Sequence, residues 1–271
     1  MESKQPSVLS IAGSDSSAGA GIQADIKMCS AIGVHCATVI TSITAQNTLG
    51  VSEVFNLPAV QVKAQLRAIL DDLSIKAIKV GMLGSADNVI AVADVLSEYP
   101  NIPLILDPVL ISSSGKDLLC SEGKKQLITS LLPMTHLLTP NLDEAAALLD
   151  VSKAKNIAQM AEQAALLRKL GPAHVLIKGG HSESTLITDL LNSSDVTRAF
   201  EHPRIESPNT HGTGCNLSSA IAAFVVLGHD WPSAIDQAID KTCEAIRLAA
   251  TQKLGSGNGP LQAKWHSNEN I

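Results

Sequence analysis

Six short runs rich in Val, Ile, Leu and Thr recur along the chain, and amphipathic stretches fill the intervals between them. The runs cover residues 8–13, 36–44, 77–82, 103–109, 135–140 and 174–180, and each has the length of a strand. Helical periodicity appears over residues 21–33, from Pro58 through Leu73, and over 86–96, 121–132, 142–149, 157–170, 214–227 and 232–251. In 21–33 the apolar face is read as Ile22, Ile26, Met28, Cys29 and Ile32. Residues 185–191 read as one more strand, antiparallel to the rest. This β-α-β-α rhythm predicts an α/β fold, a three-layer αβα sandwich around a central, mostly parallel sheet. No Pro/Gly/Ser-rich linker and no internal repeat divides the chain, so residues 1–271 are read as a single domain. The polar stretch 255–271 is expected to end in a loose terminus.

Composition narrows the partners. Aromatic residues make up 2% of the chain and the formal net charge is −6. Stacking platforms lack their rings, and the net negative charge disfavours a phosphate-backbone partner, so both argue against nucleic acid. No apolar run approaches the ~20 residues needed to span a bilayer. There is no signal-peptide pattern, and the five cysteines contain no CxxC pair, so a reduced, cytoplasmic protein is expected.

In open parallel sheets, ligands sit beyond the carboxyl ends of the strands. The unusual polar residues collect there: Gly13-Ser14-Asp15, Gln46-Asn47, Gly81-Met82, Asp107, Asn141 with Glu144, and Lys178-Gly179-Gly180. The stretch HGTGCNLSSAIAA sets Gly212, Thr213, Gly214 and Cys215 at a helix start. Unpaired N–H groups and about half a positive charge at that end make an anion hole, suited to phosphoryl transfer. The helix end is also expected to lower the Cys215 pKa; the alternative is a buried packing cysteine. Asp107, Asn141 and Glu144 could hold Mg²⁺, or Asn141 and Glu144 could simply form a capping box. Lys178 could hold a transferring phosphate, or be a surface lysine before a turn. The glycine-rich stretch AGSDSSAGAGIQAD lacks a Walker lysine and matches GxGxxG only with Ala24 in the last glycine's place. It reads as a loop closing over a small substrate.

AGSDSSAGAGIQAD, VITSITAQNTLGV, KVGML, DPV, TPNLDEA, KGGH and NTHGTGCNLSSAIAA occur in this order across nearly the whole chain. Together they resemble the hydroxymethylpyrimidine kinase/phosphomethylpyrimidine kinase family of thiamine biosynthesis, a branch of the ribokinase-like fold. The resemblance implies ATP and Mg²⁺ as cofactors, 4-amino-5-hydroxymethyl-2-methylpyrimidine as substrate, and a homodimer. It places the pyrimidine pocket on Gly13, Asp25, Thr44, Gln46, Met82 and Val109. It gives Asp107 and Glu144 to the metal, and Lys178, Asn141, Gly212 and Thr213 to ATP. Lys178, Thr213, Gly214 and Cys215 would serve the transfer itself, with Cys215 where sugar kinases of this fold place an aspartate base.

Three positions depart from the family pattern. Thr44 stands for its usual valine, Asn216 for threonine, and Ile239 for a lysine thought to meet the substrate's own phosphate. The nearest lysine, Lys241, faces about 200° away around the helix. A poorer second phosphorylation is therefore expected. The rival readings are a pyridoxal or pyridoxine kinase of the same fold, a non-catalytic small-molecule-binding protein and, more distantly, a nucleotide-dependent dehydrogenase.

Overall fold

The computed structural model describes residues 5–112, 115–180 and 185–264. Nine strands form one sheet in the order β3-β2-β1-β4-β5-β6-β7-β8-β9. They are β1 (Ser7–Asp15), β2 (His35–Asn47), β3 (Gly50–Asn56), β4 (Ala77–Val80), β5 (Leu104–Leu106), β6 (Leu137–Leu138), β7 (His174–Ile177), β8 (Leu186–Asn192) and β9 (Thr197–Pro203). The stretch β2-β1-β4-β5-β6-β7 is parallel throughout. At the two edges, β3 and the β8–β9 hairpin run antiparallel.

The central strands are apolar on both faces because both are covered. Successive side chains alternate between two cores, as the pleat requires. Leu9, Ile11, Ile78, Val80, Leu104, Leu106, Val175 and Ile177 face one core. That core is closed by α2 (Ala59–Leu70), α3 (Ala86–Leu96), α5 (Leu142–Leu149) and α6 (Ile157–Arg168). Val8, Ala77, Ile105, Leu137 and Leu176 face the other, beneath α1 (Gly21–Ile32), α7 (Thr213–Val226) and α8 (Trp231–Ala249). The three-layer sandwich expected from the sequence is present, and β8 is antiparallel as expected.

Several details differ. Strands β3 and β9 were not anticipated: GVSEVFN buries none of its residues and TRAFEHP only Phe200, so neither carries a core pattern. The helix expected over 121–132 is α4 (Ser121–Gln126), followed by a π turn over Leu127–Leu131 and a 3₁₀ turn over Leu132–Met134. Pro133 has no N–H to continue the ladder. In α1 the buried face includes Asp25, while Ile26 is 38% exposed. Only part of the polar C-terminal stretch is described, and that part is docked. Leu261 enters the second core, the His211 N–H donates to the Gly259 carbonyl, and the Asn258 side chain accepts from the Thr210 N–H. Residues 265–271, where the loose end was expected, and His181 of KGGH lie outside the described residues.

Candidate active site

A cleft of about 720 Å³ opens beyond the carboxyl ends of the parallel strands. Gly13, Thr44, Gln46, Met82 and Val109 line it. So do Asp107, Asn141, Glu144, Lys178 and the run Gly212-Thr213-Gly214-Cys215. Residues from six strand ends thus reach one volume because parallel strands all finish on the same edge. The exception is Asp25. It does not line the cleft and is wholly buried beneath it, so it is not a wall of a ligand pocket.

The helix start that borders the cleft belongs to α7. Gly212 caps it with φ at 80°, a left-handed conformation that suits glycine. A Cβ there would also meet the Gly19 carbonyl oxygen at 2.0 Å. At Gly214 a Cβ would stand 3.2 Å from Lys178 Nζ and 3.3 Å from Asp107 Oδ2. The bare backbone therefore brings the helix start against the ion pair. The first intrahelical bond is Asn216 N–H to the Gly212 carbonyl, which leaves the Gly214 and Cys215 amides with no acceptor inside the helix. Thr213 differs from expectation. Its amide and its hydroxyl both donate to the Thr210 carbonyl, at 3.3 and 2.7 Å, so it holds the loop and offers no free amide to the cleft.

Lys178, one residue past β7, donates to Asp107 Oδ1 at 2.7 Å, and both side chains are largely buried yet border the cleft. Burial works against the Lys178 ammonium, but Asp107 and Glu144 outweigh it and raise its pKa. Asn141 and Glu144 form the capping box of α5: Asn141 Oδ1 accepts from Glu144 N–H and Glu144 Oε2 from Asn141 N–H, each at 2.8 Å. Burial pushes the Glu144 carboxyl up to about 7; Lys178 pulls against the rise and Asp107 adds to it. The cap and a cation role are compatible, since Glu144 lines the cleft while capping. Among the described residues, no group of three or more His, Cys, Asp or Glu side chains could hold a metal ion. Two carboxylates of this kind still fit Mg²⁺, which takes one or two of them and completes its shell with waters and phosphate oxygens.

Cys215 is half-buried. Burial pushes its thiol up to about 11; Lys79 opposes, Asp25 and Asp107 add to the rise, and a hydrogen bond from the Gly21 N–H opposes it slightly. The helix end alone predicts the opposite direction. Desolvation and two nearby carboxylates overcome it, so the resting residue at neutral pH is a thiol.

Beneath Cys215 lies an ion pair that sequence reading missed. Lys79 Nζ sits 2.8 Å from Asp25 Oδ2, with both side chains 0% exposed, and Ser10 Oγ donates to the same oxygen at 2.6 Å. Burial pushes the Asp25 carboxyl up against the pull of Lys79. The available signal was a lysine inside the apolar run AIKVGM, which demands a buried partner.

On the cleft wall that holds Gln46, Asp15 gathers N–H donors from Ser17, Gly19 and Ala20 and the ring of His211. Burial would raise its carboxyl, but His211, Ser17 and Ala20 hold it down to about 2. His211 also reaches Gln46, which joins the loop after β1, the end of β2 and the start of α7. At the far wall, His202 on β9 contacts Asp189 on β8 at 3.3 Å and Cys243 on α8 at 3.6 Å. Burial opposes the His202 charge, yet Asp189 and Cys243 lift its pKa to about 10. Ile239 of α8 lines the cleft, whereas Lys241 pairs with Glu244 at 2.8 Å and does not line it.

A family model described as phosphomethylpyrimidine kinase matches residues 15–262. The chain is 44% identical to the hydroxymethylpyrimidine/phosphomethylpyrimidine kinase of Rhizobium meliloti, over 93% of this chain and 95% of that one. A crystal structure of phosphomethylpyrimidine kinase from Clostridium difficile is 38% identical with a TM-score of 0.79, covering 89% of this chain and 99% of that one. The ADP complex of Bacillus subtilis pyridoxal kinase is 32% identical with a TM-score of 0.88, covering 97% and 98%. By the extent of these matches, and by the strand-end site they span, the chain belongs to the phosphomethylpyrimidine kinase family, on the ribokinase-like fold it shares with pyridoxal kinases.

Proposed function

We propose that this chain transfers a phosphoryl group from ATP to the hydroxymethyl oxygen of 4-amino-5-hydroxymethyl-2-methylpyrimidine, and more slowly to the resulting monophosphate, in thiamine biosynthesis. The observation that carries the reading is the meeting of Lys178, Asp107 and the Gly214–Cys215 helix start within one cleft. Phosphoryl transfer needs chiefly positioning and charge neutralisation, and this group offers both. The Lys178 ammonium would leave Asp107 to meet phosphate oxygens, and the Gly214 and Cys215 amides would face the same charge. Asp107 and Glu144 would hold Mg²⁺, which supplies charge neutralisation at the phosphates when bound. Gln46 and Met82 would meet the ring, since an amide both donates and accepts. Cys215 would take the alcohol proton only through its minor thiolate fraction, because at neutral pH it rests as a thiol.

Ile239 and the diverted Lys241 support a weaker second step, since no lysine of α8 serves the cleft. Pyridoxal is the second reading, favoured by the TM-score of 0.88 to a pyridoxal kinase. ADP formation with the pyrimidine alcohol, its monophosphate and pyridoxal tests all of this in one assay. Turnover of the alcohol above the monophosphate is expected. Turnover of pyridoxal without the pyrimidine would overturn the assignment.

A cytoplasmic homodimer is part of the same proposal. All five cysteines are free, and no helix among the described residues is long and apolar enough to cross a membrane. The edge hairpin β2–β3 exposes Ile43, Leu49 and Phe55, at 51%, 70% and 65%, which suits a subunit contact. Light scattering after size exclusion should give twice the chain mass; a monomer at working concentration would refute the dimer.

A further inference from the structure

His211 Nε2 stands 2.9 Å from Asp15 Oδ2 and 2.9 Å from the Gln46 side-chain amide. Asp15 is ionised and can only accept, so Nε2 must carry the proton that it offers. An N–H cannot accept from an amide N–H. The Gln46 atom beside it is therefore the oxygen, and the amide nitrogen lies on the opposite side. The two ends of a glutamine amide are distinguished by their hydrogen bonds rather than by shape, so this orientation follows from the network.

The nitrogen then falls beside Thr44 Oγ1, at the 3.3 Å contact between the two side chains. Thr44 is 5% exposed and its hydroxyl proton is given to the Ser14 carbonyl at 3.0 Å. Its lone pairs remain to accept the amide N–H. Both conflicts, donor against donor at His211 and acceptor against acceptor at Thr44, vanish in this one orientation. The backbone of Gln46 is held as well, because Ser16 Oγ accepts from its N–H and donates to its carbonyl.

We propose that Thr44 is a positioning residue that, with His211, locks the Gln46 amide so that its remaining N–H and its oxygen face the cleft in a fixed order, selecting a ring that carries an acceptor nitrogen next to an exocyclic amine. The inference rests on the pyrimidine reading of the site. An aminopyrimidine edge matches that order: its ring nitrogen accepts from the Thr44 side and its amine donates toward the His211 side. Pyridoxal has no exocyclic amine; it presents an aldehyde and a phenolic hydroxyl in other positions and matches the fixed order less well.

The test is steady-state kinetics of the wild type, Thr44→Val and Thr44→Ser, each with the pyrimidine alcohol and with pyridoxal as substrate or competitor. Valine keeps the shape and removes the acceptor. KM for the pyrimidine alcohol should rise roughly three- to tenfold in Thr44→Val, the effect of one lost hydrogen bond, and the change in kcat should be smaller. Thr44→Ser should restore KM, and the pyridoxal constant should shift less in Thr44→Val than the pyrimidine constant does. An unchanged pyrimidine KM in Thr44→Val, or a serine variant as impaired as the valine one, would sink the lock and leave the kinase assignment standing. A wild type that fails to phosphorylate the pyrimidine alcohol would sink the assignment and the lock with it.

Discussion

Among the described residues two lysine–aspartate pairs are buried, and they differ in one respect. Lys79 with Asp25 is sealed, both side chains at 0% exposure. Lys178 with Asp107 has 13% and 3% exposure and borders the cleft. The distances are alike, at 2.8 and 2.7 Å. What differs is whether a second ligand can enter. A sealed pair can only neutralise itself, since any unpaired charge would stay in low dielectric. An open pair can exchange partners, so its lysine can turn to a phosphate while its aspartate turns to a cation. The difference teaches that chemistry here depends on access as well as on residue type.

The largest expected effect breaks the sealed pair. Lys79→Met should destabilise the fold by about 3–5 kcal/mol, because Asp25 is left buried and uncompensated. Lys178→Met should lose less than half as much stability, since water and cations reach Asp107 through the cleft. It should instead lower kcat/KM by roughly 10²–10³, the usual loss for one preorganised donor. Denaturant unfolding beside kinetics reads both axes. Equal stability losses in the two variants would erase the distinction between the pairs. Replacing both partners, as Lys79→Met with Asp25→Leu, should recover most of the stability, because an apolar pair needs no solvation.

Cys215 sharpens the comparison, because both pairs act on it. Asp25 and Asp107 help to raise its thiol, while Lys79 pulls it down. With its pKa near 11, the thiolate fraction rises tenfold per pH unit across the neutral range. If Cys215 takes the alcohol proton, kcat for the pyrimidine alcohol should climb between pH 7 and 9. Cys215→Ala should remove the slope and lose on the order of 10² in rate. A flat wild-type profile, or wild-type turnover in the variant, would make Cys215 a packing residue.

The same contrast explains what could be read from the sequence. The parallel strands and the helices between them were legible because both faces of each strand are covered and the apolar runs are unbroken. The strand-end positions of Asp107 and Lys178 followed from the topology, and the Gly212–Cys215 turn from its glycines ahead of an apolar helix. Strands β3 and β9 were not legible, because edge strands with exposed faces carry no hydrophobic period. Asp25 was misplaced for a deeper reason. Periodicity put Ile26 on the buried face of α1, but a carboxylate holds that face because Lys79 meets it across 54 residues of chain. The direction of the Cys215 shift failed likewise: the helix end is a local feature, whereas Asp25 and Asp107 come from elsewhere in the fold.

Glu144 gives the smallest and most selective test of access. Its folded pKa, about 7, lies above the ordinary 4.5, so the fold favours the protonated form. The stability that this contributes is complete below about pH 4.5 and is lost as pH rises through 7. Glu144→Gln keeps an oxygen that can accept from the Asn141 N–H but cannot ionise. Its stability should therefore fall less than the wild type's between pH 5 and 8, with a gap on the order of 2 kcal/mol at the upper end. Mg²⁺ adds a further discrimination. If Glu144 faces the cation as proposed, millimolar Mg²⁺ with nucleotide should stabilise the wild type at pH 8 more than the variant and so narrow the gap. A gap that Mg²⁺ does not touch would confine Glu144 to its helix cap and leave Asp107 as the cation's carboxylate. The open pair would then do its work with one acid instead of two. Parallel pH curves for the two proteins would show that the carboxyl is already solvated, and that this end of the cleft is wetter than the packing of α5 implies.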